Sequence, residues 1–219
     1  MKVIIVALLA LAGMAQAGAQ SDLSPLQAPC CGPIAAAGAR LAQVLDGMNV
    51  EALWMAREHV DWDSGLPDRD ADYEGPGRAT HCSAFAAAAG KRLGVYLLRP
   101  PEHGQILLAN AQARWFGSDA GAARGWRATT GPDEAQRLAN QGELVVIVYE
   151  SPRAAKPGHI VIVRPSLKPA AALARDGPEI IQAGTHNHSD WTARQAFGGH
   201  PGAWPDHVLY FAHGVPESP

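Results

Sequence analysis

Three residues of this chain could together do nucleophilic chemistry: Cys82, His159 and Gln182. Cys82 stands in Thr80-His81-Cys82-Ser83-Ala84-Phe85, ahead of the alanines Ala86 to Ala89 and Gly90-Lys91-Arg92-Leu93. A cysteine attacks as its thiolate, and it needs a neighbouring base to become one. His159 offers that base in Lys156-Pro157-Gly158-His159-Ile160-Val161-Ile162-Val163. Gln182 is a polar residue in the otherwise apolar run Glu179-Ile180-Ile181-Gln182-Ala183-Gly184. A neutral amide there can hold an imidazole in one tautomer. Most free cysteines are inert members of a core. Cys82 departs from that pattern, since its neighbours Thr80, His81 and Ser83 are polar.

Positioning these groups falls to simple elements. Alanine and leucine favour a helix from Cys82 to Leu93, with Phe85, Ala89 and Leu93 on one face. Cys82 then opens the helix, where free N–H groups and the dipole favour negative charge. Pro157-Gly158 signals a turn into a β-branched strand that begins at His159, and a glycine there leaves room around the ring. Leu144 to Tyr149 is continuously apolar and reads as a central strand. Glu179 to Gly184 and Val208 to Phe211 read as two more.

The order and local words resemble the papain-like NlpC/P60 and CHAP families of bacterial cell-wall hydrolases. The resemblance runs over residues 80–185 and rests on His81-Cys82-Ser83-Ala84-Phe85, Gly158-His159-Ile160-Val161-Ile162-Val163 and Ile181-Gln182-Ala183-Gly184. It implies an α+β fold, with N-terminal helices packed on a small antiparallel sheet. It also implies a Cys82–His159–Gln182 triad that cuts amide bonds in peptidoglycan through a thioester. Asn187 is the alternative third member, because papain-type sites use an asparagine. In one respect the chain departs from papain: Pro76 stands six residues before the cysteine, where papain has its oxyanion glutamine. Besides the Cys82 backbone N–H, Tyr73 and Ser83 are the candidates for oxyanion or substrate contacts. No cofactor is implied. A peptidoglycan or other peptide is the expected partner of a monomer, along with an inhibitor or immunity protein.

Residues 1–19 carry Lys2, the apolar run Val3 to Leu11 and a small-x-small site at Ala15-Gln16-Ala17. That is the pattern of an export signal peptide, too short for a span of roughly 20 residues. The expectation is a periplasmic or secreted protein with no membrane span. Residues 20–219 suit one domain, in which helices and a loop over 20–79 lead to a Cys-His core over 80–219. Its hydrophobic content of 47% is enough for a core, and its net charge of −3 argues against nucleic acid as a partner. In an exported chain with three cysteines, adjacent Cys30 and Cys31 leave Cys82 odd, which suggests a working thiol or an intermolecular bridge; the alternative is a bridge from Cys30 or Cys31 to Cys82. Such a bridge would make the protein a silent wall-binding domain.

Further helices are expected over Pro33–Asp46, from Asn49 through Val60, from Gly104 or Gln105 to Phe116, and from Thr130 to Gly142. Residues 117–125 and 165–178 read as loop and linker. Among the nine histidines, His186 and His188 with Asp190 are the rival site, a zinc-dependent amidase. Without an HExxH helix or a CxxC pair, they read more simply as a polar loop at the cleft edge. A transglutaminase-like acyl transferase built on the same Cys-His pair is the other enzymatic alternative.

Overall fold

The structure is a computed structural model that describes residues 29–216. The expected export segment lies outside them. Six strands form one antiparallel sheet: β1 (Arg127–Ala128), β2 (Leu144–Tyr149), β3 (His159–Val163), β4 (Glu179–Gln182), β5 (His188–Thr192) and β6 (Leu209–His213). Their order is β1-β6-β2-β3-β4-β5. The central pair β2 and β3 is buried on both faces, which explains its unbroken apolar sequence.

Each face carries helices. On one lie α1 (Ala36–Asp46), α2 (Cys82–Arg92) and α3 (Leu108–Phe116). Leu41, Leu45, Phe85 and Phe116 there pack on Val146, Val148, Ile160, Ile162 and Ile181. On the other face lie α5 (Pro132–Asn140) and α7 (Ala193–Phe197), whose Leu138 and Phe197 meet Ile147, Val161, Val163 and Ile180. Two short helices, α4 (Asp119–Ala123) and α6 (Ala170–Asp176), stand where the sequence reads as loop and linker. The mixed α+β class is as expected. Among the described residues no helix is long and apolar enough to cross a membrane.

The helix expected from Asn49 does not form. Asn49, Trp54 and Arg57 take φ of 50°, 53° and 74°, left-handed values that no continuous right-handed helix accommodates. The segment instead folds as turns that bury Val50 and Trp54 completely. Cys30 bonds its neighbour Cys31 and Cys82 is free, so the alternative of a bridge to Cys82 is not formed.

Candidate active site

Cys82 is the first residue of α2, and only 4% of it is exposed. The backbone N–H groups of Ile160, Ser83 and Cys82 itself point at its sulfur. Ile160 directly follows His159, so the sulfur lies against the peptide at the start of β3. Beneath this turn, Gln112 of α3 donates from Nε2 to the carbonyls of Ser83 (3.1 Å) and Leu98 (2.9 Å). Those bonds fix the first turn of α2 on the rest of the core.

Gly158 has a different use from the one its sequence suggests. A Cβ there would meet Tyr149 O at 2.0 Å and Asn110 Oδ1 at 2.5 Å. Glycine is needed so that the backbone can approach β2, and that approach sets the register Tyr149↔His159. His159 therefore shares the face of Tyr149 and Val161, opposite the face that α2 covers.

The imidazole is held from three sides. Its Nε2 lies 2.8 Å from Gln182 Oε1. Gln182 in turn donates from its own Nε2 to His186 O at 2.9 Å, which fixes the amide so that Oε1 accepts. Hence His159 carries its proton on Nε2 and leaves Nδ1 as a lone pair, the tautomer a general base requires. Phe197, steeply inclined to it, and the stacked face of His200 meet the ring at centroid distances of 5.3 and 5.0 Å.

These groups open on a pocket of about 270 Å³ lined by Thr80, Gly158, His159, Gln182, His186, Trp191 and His200, among others. Cys82 does not line it, although Thr80 two residues earlier does. No hydrogen bond joins Nδ1 of His159 to the sulfur.

The protonation states differ from the ion pair that a helix-start cysteine suggests. Burial pushes the Cys82 thiol up to about 11, against the three N–H groups that lower it. Burial also pushes His159 down to about 4, against the bond to Gln182. Desolvation disfavours both charged forms and here outweighs the helix start. At neutral pH the two groups rest as thiol and neutral imidazole.

The sequence matches no family model and no curated protein.

The other sequence candidates lie apart from this arrangement. Asn187 does not touch His159. Its Nδ2 donates to the carbonyls of Val50 and Leu53 at 2.8 Å each, and its Oδ1 accepts from Gly184 N at 3.0 Å. It is a tether between loops, which removes it as the alternative third member. Tyr73 donates its hydroxyl to Pro76 O and lines a different pocket with Arg57, His59 and Arg69. The acidic loop folds back on itself there, so Tyr73 offers nothing to an oxyanion at Cys82. Ser83 contributes its backbone N–H to the sulfur. His186, His188 and Asp190 do not converge as a three-donor cluster: His188 instead packs on Trp191 with ring centroids 3.9 Å apart.

This division between orienter and tether can be measured. Asn187→Ala is expected to cost about 1–3 kcal/mol, because buried carbonyls lose their donor, while the turnover of folded protein stays unchanged. Gln182→Ala leaves the buried His159 Nε2–H and the His186 carbonyl without partners and should cost a similar amount, but it alone should lower the turnover of folded protein, by about tenfold or more. Urea midpoints establish the folded fraction and kcat separates the roles, and equal losses of kcat would contradict the assignment.

Sequence reasoning missed His200. It sits in Phe197-Gly198-Gly199-His200-Pro201-Gly202, which reads only as a turn. Nothing in the sequence links it to His159. A capping box on α7, Thr192 with Gln195 three residues later, was a legible sign of the helix that delivers it.

Proposed function

We propose that the protein is an exported cysteine hydrolase of papain-like arrangement that cleaves an amide bond in peptidoglycan peptides. One observation supports it above the others. Gln182 holds His159 on Nε2, leaving Nδ1 as the base, and the sulfur of Cys82 lies at the amide of the very next residue.

The chemistry starts from the neutral pair. His159 Nδ1 takes the thiol proton as the sulfur attacks the carbonyl, so negative charge passes to the carbonyl oxygen rather than resting on sulfur. The N–H groups at the start of α2 face that charge. His159 then passes its proton to the leaving amine, the C–N bond breaks and a thioester remains. Water gives a proton to His159 and attacks the thioester, which releases the acid and restores the thiol. In this structure the thiol and Nδ1 stand on opposite faces of β3, so substrate binding must shift the strand start at Gly158-His159 and turn the imidazole toward Cys82 before the proton can pass.

Mass spectrometry of purified muropeptides incubated with the mature protein tests this reading. The expected result is two products whose masses sum to the substrate plus one water. A product in which an added amine replaces the water would instead identify an acyl transferase on the same site. Intact muropeptides after prolonged incubation would reject peptidoglycan as the substrate.

A further inference from the structure

His200 stacks on His159 with rings inclined by only 16° and centroids 5.0 Å apart. The contact is built into the backbone. His200 N donates to Phe197 O, and Ala203 N donates to His200 O, each at 2.9 Å, so the turn after α7 is closed on both sides. Tyr149, the strand partner of His159, lies 5.7 Å from His200. His200 is half-buried and lines the pocket, whereas only 5% of His159 is exposed. One ring therefore stands between the other and solvent.

We propose that His200 is a positioning residue for the reaction, a ring that covers His159 and pins its imidazole in the plane where Gln182 can hold Nε2. Three contacts fix the plane: Gln182 at Nε2, the T-shaped contact with Phe197, and the face of His200. Without the last, the ring can turn about its Cβ and water can enter from the pocket. Burial pushes His200 itself down to about 4, with repulsion from His159 as the second cause, so two uncharged rings can stack face to face. The titratable groups that face the pair are Tyr149 from β2 and His186 from the loop after β4. No carboxylate, lysine or arginine lines the pocket among the described residues. The cover is thus a matter of packing rather than of an ion pair.

The role rests on the hydrolase reading, but one arm of its test does not. The imidazole of His159 is titrated by NMR in wild type, His200→Ala and His200→Phe, and kcat and KM are measured for each. In His200→Ala the His159 titration should move up by at least about one pH unit as water reaches the ring. Its kcat should fall about tenfold with KM within about threefold. His200→Phe keeps an aromatic face of similar size and should restore both to near wild-type values, and its filled volume guards against simple unfolding. An unmoved His159 titration in His200→Ala would overturn the proposal, as would His200→Phe behaving like His200→Ala. A lower kcat with an unchanged titration would also overturn it, because His200 would then act on the substrate directly. If wild type hydrolyses nothing, the hydrolase reading fails while the titration still decides whether His200 covers His159.

Discussion

Cys82→Ala should abolish hydrolysis, lowering kcat by at least about a thousandfold, as removal of a nucleophile does. The same substitution should leave the fold in place. Cys82 packs among small residues of α2 and against Ile160, and loss of one sulfur there should cost about 1 kcal/mol. Alanine is the better probe than serine, since a hydroxyl would be buried in an apolar cluster and cost more. Circular dichroism and a urea midpoint establish that the variant is folded, and product formation is then compared at equal folded concentration. Wild-type turnover in Cys82→Ala would place the chemistry elsewhere.

Acid should unfold the protein through His159. An unfolded histidine titrates near 6.5, whereas burial holds His159 at about 4. Between these values the unfolded chain binds the extra proton, so stability rises with pH. The contribution is fully present above about 6.5 and is lost as pH falls toward 4. The interval corresponds to about 3 kcal/mol for His159 alone. His81, buried against Glu58 O, and His200 are shifted in the same direction and add to the slope. Urea midpoints at pH 7 and pH 4.5 should differ strongly in wild type and clearly less in His159→Gln. Identical pH slopes would mean that His159 is already solvated in the folded protein.

The parts of the site that were legible in the sequence are those governed by local rules. The helix start at Cys82, the strand start at His159 and the amide in an apolar strand at Gln182 all stand where propensity and period put them. Their mutual arrangement depends on side-chain parity, which a single sequence leaves open until the register is known. The register Tyr149↔His159 turns the imidazole away from the face that carries α2. β5 escaped notice because His188-Ser189-Asp190-Trp191-Thr192 is an edge strand with no fully buried residue. The segment after Asn49 misled for another reason. Its apolar residues at helical spacing are buried by turns, and distant partners, Asn187 above all, hold those turns in place.

That last contact also bears on how the molecule comes into being. Asn187 grips the carbonyls of Val50 and Leu53 across 137 and 134 positions of chain. Joining ends so far apart costs about 4 kcal/mol of loop-closure entropy, about twice what a hairpin such as β2–β3 requires. The loop that carries Asn187 also carries His186, whose carbonyl orients Gln182. In a nascent chain the sheet can therefore close on local contacts while the base still lacks its orientation. The orientation of the base thus hangs on contacts among the most non-local in the described residues, the kind that slow folding.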